Sequence, residues 1–180
     1  MAVELDGRPW RVLPAEAVVR AGLAVGRRLD RHAARELARE VRRARALAQA
    51  TRTLATSGRS RRDLEQRLAR AGHGGAASEE AIATLDRAGL VDDARLAETR
   101  AEALARRGYG DSAIRADLRR RLLAAEEAAD AVAALEPELL RVRRLLAGQD
   151  VTPAVLRRLG GRGFSRDTLD EVAASFARET

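Results

Sequence analysis

RSRRDLEQRLARAG at residues 59–72 and GYGDSAIRADLRRRL at residues 108–122 decide the fold, because the second stretch repeats the helical pattern of the first. Apolar residues lie four apart in both stretches, and a third copy follows after Thr152. This spacing places the apolar side chains of each copy on one face of a helix. The aligned residues are Leu64, Leu68 and Gly72 in the first copy, Ile114, Leu118 and Leu122 in the second, and Val155, Leu159 and Gly163 in the third.

Each copy has a predicted helix on either side of it. The helix that follows begins with acidic residues and has its own apolar stripe, and the helix that precedes it is predicted at about 41–56, 93–107 or 137–147. A unit of about 45 residues cannot bury its apolar faces alone, so neighbouring copies must share a core. The sequence therefore predicts an all-α fold, an elongated array of three tandem three-helix repeats.

The first 40 residues differ from the repeats. Asp6-Gly7 separates two short β-prone runs and is typical of a tight hairpin turn. Pro14 and Gly22 bracket a short helix, and Asp30 caps a longer helix that either continues into the first repeat or breaks near Arg39. The predicted organisation is an N-terminal extension at 1–40, containing the hairpin and short helices, followed by repeats at 41–91, 92–136 and 137–180.

The composition is strongly basic. The net charge is +7, and all 34 basic residues are arginine. Such a balance favours an acidic partner such as nucleic acid or an acidic protein surface, although coding bias and solvated helix faces account for it equally well. The absence of cysteine excludes disulfides and thiolate sites, and no apolar run approaches the length of a membrane span. We expect a cytoplasmic, monomeric protein.

Four short motifs occur in a fixed order along the repeats. They are Arg59-Ser60-x-x-Asp63-Leu64-x-x-x-Leu68-x-x-x-Gly72, Gly89-Leu90-Val91-Asp92-Asp93-x-x-Leu96-Ala97, Gly108-Tyr109-Gly110-x-x-x-Ile114-x-x-x-Leu118 and Gly163-Phe164-Ser165. In this order they resemble the RecX family of recombination regulators over about residues 41 to 177. The chain departs from the family pattern at Asp63, where Glu is usual, at Leu96, where an aromatic is usual, and at Leu122, where the family tends to have Gly.

The resemblance implies a function as well as a fold. RecX proteins are elongated helical-repeat proteins that lie in the groove of the RecA–DNA filament. They inhibit filament growth, and with it the ATPase, strand-exchange and coprotease activities of RecA. By this resemblance the expected partners are RecA and the RecA–DNA filament, with weak direct contact to DNA also open, and neither a cofactor nor catalysis is implied.

Arginines cluster on the same helix of all three copies, which we call the basic stripe. Guanidinium groups bind both phosphates and carboxylates in a bidentate manner, so the stripe is the predicted partner-binding surface. The other interpretation is a solvated face with acid–base pairs at i,i+4 spacing. The basic stripe consists of Arg61, Arg62, Arg67, Arg70, Arg115, Arg119, Arg120, Arg121, Arg157, Arg158 and Arg162, with Arg141, Arg143 and Arg144 as a weaker extension.

Candidate catalytic or metal sites are weak. His32 and Glu36 are four apart but lack a third ligand nearby, and Asp92 is explained as a helix cap. We therefore predict no metal and no catalytic residue. Tyr109, between two glycines, is interpreted as a joint residue, with base stacking as the alternative. The alternative functions are a sequence-nonspecific nucleic-acid-binding helical module that acts without RecA, and a scaffold for another acidic protein.

Overall fold

The computed structural model describes the backbone of residues 1–179 and the side chains of residues 1–176. This part of the chain contains two strands and ten helices. The strands are β1 (Ala2–Leu5) and β2 (Arg8–Val12). The helices are α1 (Ala15–Arg20), α2 (Arg31–Thr56), α3 (Arg61–Arg70), α4 (Ala76–Arg87), α5 (Asp93–Arg106), α6 (Asp111–Arg120), α7 (Ala125–Ala133), α8 (Glu138–Leu146), α9 (Pro153–Gly161) and α10 (Arg166–Glu179). The predicted all-α fold with an N-terminal hairpin is confirmed.

Two compact units make up the chain, Met1–Val91 and Asp92–Thr180. In the first unit, β1 and β2 pair antiparallel around Asp6 and Gly7, whose positive φ angles of 50° and 76° form the turn. A small core of Leu13, Val18 and Leu37 joins this region to α1 and α2. The alternatives left open for the helix after Asp30 are resolved, because α2 runs unbroken for 26 residues.

The rest of the first unit is a three-helix group, formed by the C-terminal half of α2 with α3 and α4. Its core contains Ala50, Leu64, Leu68 and Ile82. Ser60 caps α3 by accepting a hydrogen bond from the Asp63 amide, at 3.2 Å. Leu64 and Leu68, which lie four residues apart, thus both face the core as predicted.

Two further three-helix groups form the second unit. The second group, α5 to α7, packs Ala101, Ile114, Leu118 and Val132, and the small alanine lets the helices approach closely. The third group, α8 to α10, has a core formed by six residues. They are Val142, Leu146, Leu159, Phe164, Leu169 and Val172. The predicted division into repeats at 41–91, 92–136 and 137–180 stays a prediction, since the chain separates only into the two units.

The middle helix of each group ends in the same way. The amide of the third residue after each helix donates a hydrogen bond back to the carbonyl of the last core leucine of that helix. These bonds run from His73 to Leu68, from Leu123 to Leu118 and from Phe164 to Leu159. The residue just before has a positive φ, and it is Gly72, Leu122 or Gly163. A helix end of this kind favours glycine because a side chain is strained there. Leu122, at φ 61°, carries that strain.

Replacing Leu122 with glycine is therefore expected to stabilise the second unit by about 1 kcal/mol, because glycine relieves the left-handed strain. Urea unfolding monitored by circular dichroism measures this. Gly72→Leu is the matched control, since it places the same side chain at the same position of α3 and should cost about as much. If the Leu122→Gly variant unfolded at the same urea concentration as the wild type, the positive φ of Leu122 would not reduce the stability of the second unit.

Candidate partner-binding surface and the joint that positions it

The basic stripe lies on α3, α6 and α9 and just beyond their ends, and all its members except Arg121 are exposed. Several are held by nearby acids. Arg61 pairs with Asp86 at 2.7 Å, and Arg67 pairs with Asp63 at 2.9 Å. Arg120 pairs with Asp117 at 3.3 Å, and Arg115 lies 3.9 Å from Asp111. For these four arginines the structure agrees with the second interpretation given above, a solvated helix face on which arginines pair with nearby acids.

Six members of the stripe have no acidic partner among the described residues. Two of these six bond to neutral groups, Arg70 to the Gln66 side chain at 3.3 Å and Arg162 to backbone carbonyls at 3.4 and 3.5 Å. The other four have neither kind of partner there. Arg62, Arg119, Arg157 and Arg158 are exposed and make no ion pair with any side chain that the structure describes. We call them the unpaired stripe arginines. Their guanidinium groups are available for carboxylates or phosphates of another molecule.

The arginines do not repeat position by position. When the core leucines of α3, α6 and α9 are aligned, Arg70 matches Arg120, but Asp117 stands where the other helices have Arg67 and Arg158. The three copies therefore share a basic helix rather than one row of arginines. A binding role for the stripe stays a prediction.

Arg121 has a role inside the second unit. Its Nε lies 3.2 Å from Asp117 Oδ2, and Arg100 on α5 binds the same carboxylate at 2.8 and 3.2 Å. The hydrogen bonds from Arg100, with those from Arg121, outweigh burial and lower the pKa of Asp117 to about 2. This carboxylate thus fastens α5 to α6.

The stability of the second unit should depend on pH through Asp117. Its pKa falls from 3.8 to about 2 on folding, so its contribution is complete above pH 3.8 and is lost as the pH falls towards 2. The contribution is about 2 kcal/mol at most. Urea unfolding at pH 7, 4 and 2.5 should show that Asp117→Asn is less stable at pH 7 and that the difference from the wild type shrinks at pH 2.5. A difference that is constant with pH would contradict this assignment.

The second and third groups meet at a close backbone contact. The Gly110 amide donates to the Arg162 carbonyl at 3.0 Å, and the Ser112 amide donates to the Gly163 carbonyl at 3.1 Å. A Cβ on Gly110 would meet backbone atoms of Gly163 and Phe164 at less than 3.0 Å, a separation that real Cβ atoms essentially never show. Two of the sequence motifs, at 108–118 and 163–165, thus meet at the start of α6 and the end of α9. We call this contact the repeat joint.

Glu138 on α8 binds both sides of the repeat joint. Its carboxylate accepts from the Asp111 amide at 2.7 Å, the Ser165 amide at 3.0 Å and the Thr168 hydroxyl at 3.1 Å. Burial alone would raise the pKa of Glu138, but these hydrogen bonds lower it. Glu138 is therefore ionised at neutral pH and satisfies the first amides of α6 and α10.

Arg141 is the second charged residue of the repeat joint, and its expected place in the basic stripe is wrong. Its side chain is buried, with 6% of the residue exposed. It donates to the carbonyls of Tyr109 and Glu136 at 3.0 Å and pairs with Asp111. It faces inward because these acceptors lie on neighbouring elements. Arg143 is exposed, and Arg144 pairs with Glu136.

Arg162 and Arg107 lie against the Tyr109 ring. Their guanidinium carbons are 5.8 and 5.6 Å from the ring centroid, within range of a cation–π interaction. Arg162 also approaches the carbonyl oxygens of Arg107 and Gly108 at 3.4 and 3.5 Å. Tyr109 packs against the core of the second group, as expected for a joint residue. Arg162, which the sequence places in the basic stripe, contacts the Tyr109 ring and the carbonyls beside it at the repeat joint.

Sequence reasoning did not find Glu138. It lies at the start of the helix predicted at about 137–147, and nothing in its spacing relates it to Asp111 or Ser165, each 27 residues away. The glycines of the two motifs were a usable signal, because paired glycines in different repeats favour close backbone contact.

Among the described residues, no group of three or more His, Cys, Asp or Glu side chains is arranged to hold a metal ion. No helix in that part of the chain is long and apolar enough to cross a membrane. Glu36, which lies four residues after His32 and was considered with it as a metal ligand, accepts a hydrogen bond from Arg39 of the same helix at 2.5 Å.

The fold and its surfaces define a basic protein of three-helix groups with unpaired arginines on the middle helices. Two solved structures are similar to it. A crystal structure of regulatory protein RecX matches with a TM-score of 0.74 and 20% identity, covering 96% of this chain and 94% of that chain. A crystal structure of RecX from Lactobacillus salivarius matches with a TM-score of 0.64 and 19% identity, covering 74% of this chain and 96% of that chain.

Sequence comparison gave no match, either to a protein-family model or to a curated protein. Similarity to known proteins is therefore found in the fold alone. The chain has the RecX fold, and the resemblance that the motifs indicated is confirmed at the level of the fold.

Proposed function

We propose that this protein is a non-enzymatic regulator that binds the RecA nucleoprotein filament and inhibits its growth, ATPase, strand-exchange and coprotease activities. The observation that carries the proposal is the RecX fold, which extends over 96% of the chain at a TM-score of 0.74. The motifs at 59–72, 89–97, 108–118 and 163–165, met in the same order as in RecX proteins, support it independently of the three-dimensional match.

The unpaired stripe arginines are the proposed contacts. Arg62 lies on α3, Arg119 on α6, and Arg157 and Arg158 on α9, so each three-helix group contributes at least one. An arginine that lacks an internal acid loses less on binding, because no existing ion pair must be broken. A filament of RecA and DNA offers both carboxylates and phosphates to such groups.

The repeat joint supports this role by fixing α6 relative to α9 within the second unit. Backbone hydrogen bonds, the Glu138 carboxylate and the buried Arg141 together hold the two helices. Arg119 and the α9 arginines are thus presented at a set separation, which lowers the ordering cost of binding. A regulator of this kind acts in the compartment where RecA works, the cytoplasm.

Filament binding tests the proposal directly. RecA is assembled on fluorescently labelled single-stranded DNA with a non-hydrolysable ATP analogue, and the protein is added before or after assembly. We expect binding to the filament and slower assembly when the protein is added first. Equal binding to bare single-stranded DNA and to the filament, with assembly unaffected, would instead support the alternative, a nucleic-acid-binding module that acts without RecA.

A further inference from the structure

Helix α2 is the most basic element of the chain. It contains seven arginines and two glutamates in 26 residues. Its buried residues, Ala33, Leu37, Ala46 and Ala50, are all apolar and attach it to the core of the first unit.

Five of these arginines lie along one side of the helix, and we call them the arginine ridge. At about 100° per residue they fall within a sector of about 100°, and at about 1.5 Å per residue they extend over about 31 Å. All five are exposed. The arginine ridge consists of Arg31, Arg35, Arg42, Arg45 and Arg52.

The acids of α2 lie outside the ridge. Glu36 bonds to Arg39 at 2.5 Å, and Glu40 lies 3.3 Å from Arg43. Arg43 also reaches Glu80 on α4 at 3.4 Å, which makes it a packing residue of the first unit. Arg31, Arg35, Arg42 and Arg45 make no ion pair with any residue that the structure describes, and Arg52 bonds only to Gln49 there.

Such an arrangement costs stability in the free protein. Arg31 and Arg35 are four apart and Arg42 and Arg45 three apart, so like charges lie close together on the helix surface and repel. A molecule with closely spaced negative charges removes this cost. Duplex DNA has about one phosphate charge per 1.7 Å of its axis, so a segment as long as the ridge presents about 18 of them.

We propose that the arginine ridge binds the phosphate backbone of duplex DNA without regard to sequence. Duplex is favoured over single strands because α2 has no Trp, Tyr or Phe, so it lacks the large aromatic rings that usually stack on unpaired bases. Duplex DNA is favoured over an acidic protein because the ridge is long and uninterrupted by acids, and the phosphates of a duplex likewise form a long, regular row of charge. This binding does not need RecA and is separate from the basic stripe.

The test compares two variants of the full chain with equal charge. The ridge variant carries Arg31→Gln, Arg35→Gln, Arg42→Gln and Arg45→Gln, and the stripe variant carries Arg62→Gln, Arg119→Gln, Arg157→Gln and Arg158→Gln. Each lowers the net charge from +7 to +3. Glutamine keeps helix propensity close to that of arginine, so circular dichroism and thermal unfolding should match the wild type.

Binding of a fluorescein-labelled 30-base-pair duplex is measured by anisotropy between 50 and 200 mM salt, without RecA. We expect the ridge variant to lose about 3–4 units of the slope of log affinity against log salt, and to bind at least tenfold more weakly at 50 mM, because each phosphate contact contributes about 0.9 to the slope. The stripe variant should bind like the wild type.

Three results would overturn the proposal. They are a wild-type protein that does not bind the duplex, a ridge variant that binds as tightly as the stripe variant, and ridge-dependent binding of polyglutamate that exceeds that of the duplex. Because RecA is absent, each of these leaves the proposed regulation of RecA intact. Conversely, a protein that binds DNA through the ridge but does not affect RecA would fail only the earlier proposal.

Discussion

Replacing Gly110 with alanine is expected to open the repeat joint and to destabilise the Asp92–Thr180 unit by about 2–3 kcal/mol. The added Cβ would lie less than 3.0 Å from backbone atoms of Gly163 and Phe164, and backbone cannot move aside as a flexible side chain can. The φ of Gly110 is −82°, which alanine adopts readily, so the effect is steric alone. The two hydrogen bonds between the helix ends, from Gly110 and Ser112, should be lost.

Urea unfolding measures the loss of stability, and hydrogen exchange locates it. Faster exchange is expected at the Gly110 and Ser112 amides and throughout α8 to α10. Gly74→Ala is the matched control, because nothing lies within 4 Å of a Cβ there and its φ is not positive. If Gly110→Ala unfolded with the wild-type midpoint, the two groups would not be held by this contact.

Neutralising the unpaired stripe arginines is expected to remove most of the inhibition of RecA. In the stripe variant, Arg62, Arg119, Arg157 and Arg158 are all glutamine. Exposed ion pairs contribute about 0.2–1 kcal/mol each, so the four together contribute about 0.8–4 kcal/mol and the concentration that half-inhibits the RecA ATPase should rise at least about fourfold. Folding should be unaffected, since none of the four is paired within the described part of the chain.

The ridge variant is the charge-matched control for this experiment. It has the same net charge as the stripe variant, so an effect of overall charge would appear in both. We expect it to retain most of the inhibition while its affinity for duplex DNA falls. Equal loss of inhibition in the two variants would show that charge alone, rather than the position of the stripe, determines the interaction with RecA.

The parts of the fold that depend on local spacing could be predicted from the sequence. Leu64, Leu68, Ile114 and Leu118 are all completely buried, as their four-residue spacing indicated. The caps at Asp30 and Asp92 also accept the expected amides. Local patterns suffice here because a helix face and a helix cap are each determined within a few residues.

The repeat joint could not be predicted in this way. Arg141 looks like its exposed neighbours in the sequence, and its burial depends on Asp111 and Tyr109, which are 30 and 32 residues away. Arg162 resembles the other stripe arginines for the same reason, whereas in the structure it approaches the carbonyls of Arg107 and Gly108, 55 and 54 residues away. A guanidinium is inside or outside according to which acceptors the tertiary fold brings near it, and periodicity contains no such information.

The single-stranded-DNA-dependent ATPase rate of RecA, measured with this protein at well below one copy per RecA, tests the central claim most directly. We predict that the rate falls at these substoichiometric amounts, because a regulator bound along or at the end of a filament affects many subunits. Binding of the protein to bare single-stranded DNA, measured in parallel at two salt concentrations, should be weak. An ATPase rate that stays unchanged up to equimolar protein would contradict the account and would limit the relation to RecX to the fold.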